Sequence, residues 1–225
     1  MTNGGVIPPD PGYLEGVRAL TKKHNVLLIM DEVKIGARIA PGGGVEKYGI
    51  TPDLVTLAKA IGGGTPLGAF GGRRDLMQMI SPLGPAVHFG TYNANPLVTE
   101  AGLACLTKVL TPPVYAEMDR LSEKYAKGLE EIIERYGIPA CVTREGPLGG
   151  IQFVPEKPHT YRQANKCNKK LWSEYWYGML CKGVVPMGSG WFEEYSVSAA
   201  HTEKDIDETL NRTDEVFKII KKNLL

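Results

Sequence analysis

The chain has 225 residues, 43% of them hydrophobic and 23% charged, with a formal net charge of +1 at pH 7. This composition excludes disordered, fibrous and low-complexity classes, and the length allows one large domain or two modest ones. Basic residues are scattered and pair only at Lys22-Lys23, Arg73-Arg74, Lys169-Lys170 and Lys221-Lys222, so there is no electrostatic footprint for nucleic acid.

Cys105, Cys141, Cys167 and Cys181 have neither metal-site nor disulfide-framework spacing, and a reduced cytoplasmic setting is expected. No apolar run approaches the roughly 18 residues of a membrane span. The first residues lack signal-peptide character, and the Asn211-Arg212-Thr213 sequon is read as chance.

In chain order, Pro11-Gly12 opens a helical pattern with Tyr13, Leu14, Val17 and Leu20 on one face, closing near Lys22 to His24. The unbroken run Val26 to Met30 suits a strand buried on both faces of a parallel sheet. Short strands follow at Leu54–Leu57 and Leu67–Phe70, then a helix over 73–80. Asn95-Pro96 starts another helix reaching Leu110, with proline in the first turn where its missing N–H costs little. Thr111-Pro112-Pro113 marks a domain boundary.

Beyond it lie a long amphipathic helix over 114–136 and strands near 140–142, 149–154 and 184–187. A helix over 162–182 precedes the last of these, and a strand over 196–199 leads to a terminal helix capped by Thr202. The expected organisation is residues 1–112 as an α/β unit with a mostly parallel sheet, and residues 113–225 as a small α+β domain.

Two features carry chemistry. Asp31 ends a hydrophobic strand, a costly place for a carboxylate without a cationic partner, and ligands of open α/β sheets gather outside the carboxyl ends of strands. Lys59 lies in Leu57-Ala58-Lys59-Ala60-Ile61-Gly62-Gly63-Gly64, where small and apolar neighbours favour a nucleophilic amine and the glycines permit close approach of backbone. Taken singly, each has a plain alternative: an aspartate serving a turn, and a surface lysine before a flexible loop. No glycine cluster fits a P-loop or a dinucleotide fingerprint, so a nucleotide-binding reading has no support. His88 and His201 have no metal-ligand spacing and are read as structural. Taken together, a lysine and a carboxylate ending two neighbouring strands mark a possible site.

Several ordered motifs take the reading further. These are Asp31-Glu32-Val33 with Gly36 and Arg38, Gly49-Ile50-Thr51-Pro52-Asp53-Leu54, Lys59 to Gly64, Gly68 to Gly72, Gly90-Thr91-Tyr92-Asn93-Ala94-Asn95-Pro96, and Ser198-Ala199-Ala200-His201-Thr202. In this order they resemble the class III aminotransferases, which are fold-type-I enzymes dependent on pyridoxal 5'-phosphate (PLP). The similarity is greatest to their glutamate-1-semialdehyde 2,1-aminomutase-like branch and covers about residue 5 onward.

The resemblance implies that Lys59 forms the Schiff base with PLP and shuttles a proton between the substrate Cα and the cofactor C4′. It implies that Asp31 pairs with the pyridinium nitrogen, Val33 packs on a ring face, and Thr91 binds the phosphate across the interface of a homodimer or larger assembly. The substrate would be an amino acid or an amino-ketone, and the reaction amino-group transfer or migration. Neither a membrane nor a nucleic-acid partner is implied.

The chain departs from the family in length. The N-terminal half, with its phosphate cradle and the aromatic residue stacked on PLP, has no counterpart here. Thr99-Glu100-Ala101-Gly102 falls inside a helix and is not that cradle. Exposed sheet edges and an uncovered apolar face are therefore expected. Lys34 to Arg38 and Trp191-Phe192-Glu193-Glu194 also differ from the family pattern near its substrate site. The alternative reading is a truncated, non-catalytic fragment that acts as a binding module.

Overall fold

The computed structural model describes residues 2–188 and 192–224. It divides into two units, Pro11–Tyr115 and Met1–Asp10 with Ala116–Leu225. The expected boundary at 112/113 thus falls between Tyr115 and Ala116, and the first ten residues belong to the second unit rather than the first. Their attachment is physical: Val6 and Ile7 are buried, and the Gly5 carbonyl accepts hydrogen bonds from Thr143 Oγ1 at 2.8 Å and from Gln152 Nε2.

In the first unit, helix α1 (Tyr13–Lys23) precedes strand β1 (Ile29–Asp31). A short helix α2 (Gly43–Tyr48) follows, then β2 (Leu54–Ala58), a 3₁₀ turn over Lys59–Gly62, and β3 (Gly68–Gly72). Helices α3 (Arg74–Met77) and α4 (Pro96–Ala104) complete it, the latter running into a π-helical turn over Cys105–Val109. The sheet order is β1-β2-β3, with β1 and β2 parallel and β3 antiparallel. The connection from Lys59 to Leu67 is shorter than the dozen or so residues a parallel crossover needs, so β3 has to turn back.

The expected double burial of Val26 to Met30 does not hold. Only three residues form a strand, and Val26, Leu27 and Ile29 are exposed: β1 is an edge strand whose Leu28 and Met30 are half-buried while the face carrying Ile29 lies open.

The second unit has the better core. Helix α5 (Pro112–Tyr136) buries Leu121, Leu129, Ile132 and Ile133 on one stripe, the i, i+3/i+4 spacing of an amphipathic helix. Strands β4 (Cys141–Glu145) and β5 (Leu148–Gln152) form a hairpin. The helix expected over 162–182 is two helices, α6 (Tyr161–Ala164) and α7 (Lys169–Cys181). The break falls where the Asn168 side chain accepts from Lys170 N and Leu171 N and caps α7.

Strands β6 (Met187–Gly188) and β7 (Glu193–Ser196) complete an antiparallel sheet of order β4-β5-β7-β6. The expected strand over 196–199 therefore lies three residues earlier, and that over 184–187 shrinks to its last residue. Helix α8 (Glu203–Leu224) is capped by Thr202, whose backbone N and Oγ1 both donate to Asp205 Oδ2 at 2.7 Å. Phe153, Tyr175 and Phe217 meet in the core with centroid separations of 5.4 to 6.3 Å.

Asp53 ties the first unit together. It is 2% exposed and accepts from Arg18 Nη1 (2.6 Å), Arg18 Nη2 (3.2 Å), Arg73 Nη1 (2.9 Å) and Leu28 N (2.8 Å). These donors, the Arg18 guanidinium first, hold its carboxyl well below the usual carboxylate range. A depressed folded-state value contributes stability that is present above the ordinary value of 3.8 and is lost as pH falls below it. Asp53→Asn is expected to melt well below wild type at neutral pH, with the gap closing as acid is added below that value. Melting curves at several pH values check this, and a gap independent of pH contradicts it.

Candidate functional site

The parallel pairing of β1 and β2 sets Ile29 beside Leu54 and Asp31 beside Thr56. Asp31 is the last residue of β1, and Lys59 follows the last residue of β2, so both leave the same carboxyl-terminal edge of the sheet. The antiparallel partner of Thr56 across the sheet is Phe70 of β3. Register partners share a face, so Asp31, Thr56 and Phe70 form one row across the three strands. Thr56 Oγ1 makes a long contact of 3.5 Å with Asp31 Oδ1.

Asp31 and its neighbour Glu32 have opposite surroundings. Asp31 is exposed, and its Oδ1 also accepts from Val33 N at 2.9 Å. Its second oxygen, Oδ2, accepts no hydrogen bond from the described residues. Glu32 is 1% exposed and anchors the loop after β1. Its carboxylate accepts from Gly44 N at 2.8 Å and Val45 N at 2.9 Å, at the start of α2. A carboxylate on a helix N-terminus satisfies donors that would otherwise stay unpaired. The sequence reading missed this role, although the Gly42-Gly43-Gly44 run was a signal for it: Gly43 has φ +63°, and a Cβ there would collide with Glu32 Oε2.

Lys59 opens the 3₁₀ turn at φ +52°, in the left-handed region that a residue with a side chain seldom occupies. Such a conformation costs about 1–3 kcal/mol and persists only where the surroundings enforce it. The side chain is exposed, and its amine makes no hydrogen bond or ion pair with the described residues. The sequence hinted at this turn through Gly62 to Gly64 but gave no sign that the strain falls on the lysine itself.

Thr91 stands apart from these residues. It is exposed on a turn closed by Asn93 N donating to Gly90 O at 3.0 Å, between Phe89 (87% exposed) and Tyr92 (81% exposed). The turn is linked to the row through His88, whose ring meets Phe70 edge-on with centroids 5.2 Å apart. The structure therefore groups Asp31, Val33 and Lys59 at one sheet edge and places Thr91 on a separate loop. Thr99 lies inside α4, with its hydroxyl donating to the carbonyls of Asn95 and Pro96.

His201 Nδ1 accepts from Ser198 N at 3.0 Å, closing the turn before α8. In the Trp191 to Glu194 segment, Trp191 and the Glu193 side chain lie outside the described residues. Burial pushes the Cys141 thiol up to about 11 and shifts Cys167 the same way, which leaves both poor nucleophiles. Among the described residues, no three His, Cys, Asp or Glu side chains are placed to hold a metal ion, and no helix is long and apolar enough to cross a membrane.

A partial α/β sheet with a lysine and a carboxylate at one edge, followed by an α+β unit, defines a recognisable class. Residues 1–214 match the family described as Aminotransferase class-III. The chain is 42% identical over 216 residues to glutamate-1-semialdehyde 2,1-aminomutase 2 of Brevibacillus brevis, covering 96% of this chain and 50% of that protein. A glutamate-1-semialdehyde 2,1-aminomutase of Desulfatibacillum aliphaticivorans is 38% identical, with 96% and 51% covered. Among solved structures, a β-phenylalanine aminotransferase from Variovorax paradoxus superposes with a TM-score of 0.88 at 31% identity, covering 98% of this chain and 50% of that one. The chain belongs to the class III aminotransferase family and has, in part, the fold of fold-type-I transferases. It spans about half the length of the curated relatives it matches.

The anchor beneath Asp31 can be tested directly. Gly43→Ala combines a strained φ with a collision against Glu32, and is expected to cost about 2 kcal/mol or more of stability. Denaturant unfolding measures it; a loss within a few tenths of a kcal/mol contradicts the anchoring role.

Proposed function

We propose that this chain supplies the reactive lysine and the ring-nitrogen carboxylate of a PLP-dependent aminotransferase or aminomutase acting on an amino acid or amino-ketone. The observation that carries the proposal is the β1–β2 register, which sets Asp31 and Lys59 at one edge of one sheet.

The residues present fit the ring end of the cofactor. Asp31 Oδ2 has an open acceptor site, as pairing with a pyridinium N–H requires, and the Lys59 amine has no competing partner. Val33, half-buried two residues after Asp31, offers an apolar surface to a ring face. For the phosphate end this chain offers Thr91, and the exposed Phe89 and Tyr92 beside it support a subunit contact there, hence a homodimer or larger assembly. The four free cysteines support a cytoplasmic location.

Bound at this edge, PLP supplies an electron sink that acidifies the Cα–H beside a substrate amino group. Lys59 would be the residue that holds the cofactor aldehyde, and its amine, exposed and free of other partners among the described residues, would serve as general base and acid for the Cα proton. Asp31, as a carboxylate, keeps a proton on the ring nitrogen. Transaminase and mutase use these residues alike, so either reaction is served.

A second reading, a non-catalytic module, is favoured by the exposed Val26, Leu27 and Ile29 beside the site, an apolar surface suited to a polypeptide partner. Titrating the chain with PLP separates the two. The absorbance of lysine-bound cofactor, present in wild type and lost in Lys59→Ala, supports the enzyme. No band in wild type with added PLP supports the module.

A further inference from the structure

Lys59 carries its amine on a backbone held at φ +52°, and nothing in the lysine favours that conformation. The turn it opens is partly held from within: Gly63 N donates to Ala60 O at 3.2 Å, and Thr65 Oγ1 donates to Gly62 O at 2.6 Å. Further contacts come from α4 and the π-helical turn that continues it. Cys105 Sγ donates to Ala60 O, the carbonyl of the residue after the lysine, at 3.4 Å.

The two backbones also meet at the limit of approach. A Cβ on Gly102 would stand 2.8 Å from Ile61 O, and a Cβ on Gly63 would stand 3.0 Å from Ala101 O and 3.1 Å from Cys105 Cβ. A neighbour that is backbone cannot swing aside as a flexible side chain would. The helix widens at the same place: Leu110 N donates to Cys105 O, five residues back, so the π-helical pattern begins at the residue whose thiol meets the turn.

We propose that Gly102 and Cys105 are positioning residues that hold the Lys59 turn in its left-handed conformation and so set where the amine points. The inference rests on the reading of Lys59 as the cofactor-bonding lysine. Gly102 acts by having no side chain, which lets α4 sit on the Ile61 carbonyl. Cys105 acts by adding a second donor to the Ala60 carbonyl, which Gly63 N already engages, and so further restrains this peptide from rotating and releasing the strain at its neighbour. Both act through the Lys59 turn, by contacts to the carbonyls of Ile61 and Ala60.

The test uses the full chain and PLP as an aldehyde probe. An amine and the aldehyde combine with loss of water, borohydride reduces the new carbon–nitrogen bond, and peptide mass spectrometry assigns each modified lysine. Lys127 and Lys157, both on the exposed surface of the second unit, serve as internal references. Wild type is expected to be modified preferentially at Lys59.

Because misplacing a reacting group by about an ångström costs up to about 100-fold, Gly102→Ala and Cys105→Ala are expected to slow Lys59 modification about tenfold, with the reference lysines unchanged within about twofold. Cys105→Ser, which keeps a donor to Ala60 O, is expected to recover most of the rate. A purely structural role predicts instead a lower melting midpoint with the Lys59 preference intact, and that result overturns the inference while leaving the lysine's role standing. A wild type without preference for Lys59 overturns the reading beneath it. If Gly102→Ala does not fold, the comparison of Cys105→Ala with Cys105→Ser decides alone.

Discussion

The lysine-bearing unit depends on one buried carboxylate. Asp53 sits just before β2 and binds Arg18 from α1, Leu28 N at the entry to β1, and Arg73 after β3. Its backbone joins in: Asp53 N donates to Leu28 O at 2.8 Å, and Arg73 N donates to Asp53 O at 2.9 Å. These contacts fix how β1 lies beside β2. A slip of one residue would turn the β1 side chains to the opposite face and separate Asp31 from Thr56. The position of Asp31 relative to Lys59 is thus set three residues before the end of β1, at Leu28, and five before the end of β2, at Asp53, by an ion-pair network rather than by the small apolar core of this unit. Glu32 then fixes the chain as it leaves β1, so that one acid of the Asp31-Glu32 pair is structural and the other remains available.

The two units differ in how they are held. The second has a continuous core of helix stripes, a sheet and an aromatic cluster around Phe153. The first buries few side chains besides Ala37, Ile39, Ile50 and Ile61, and leaves Val26, Leu27, Ile29 and Phe89 in solvent. The exposed apolar residues of the first unit form an open surface that the second unit, by itself, does not have to the same degree. The carboxylates and strained turns of the first unit hold the site edge together with little help from burial.

Much of this was legible in the sequence, and the failures have physical causes. That Asp31 and Lys59 stand at the ends of neighbouring strands was readable from the apolar runs before them, while the roles given to them come from the family resemblance. Helices α1 and α5 were readable from their 3.6-residue periodicity. The burial of Val26 to Met30 was misread because an apolar run reports what a strand is suited to pack against, not whether the packing partner is present. Helix α2 was missed because its glycines have poor helix propensity, and only the distant Glu32 makes them a helix start. Residues 2–10 were assigned to the wrong unit because the donors to Gly5 lie about 140 residues away, at Thr143 and Gln152. The left-handed backbone at Lys59 had no signal at all, since glycines, not lysine, normally mark such positions.

The central claim is that the Asp31 carboxylate and the Lys59 amine serve opposite ends of one pyridine ring. Nitrogen-15 NMR of the chain loaded with ring-labelled PLP reads the protonation of that ring directly. The account expects a protonated ring nitrogen in wild type and an unprotonated one in Asp31→Asn at neutral pH, with Lys59 still bonded in both. A ring nitrogen whose signal is the same in the two proteins would contradict it.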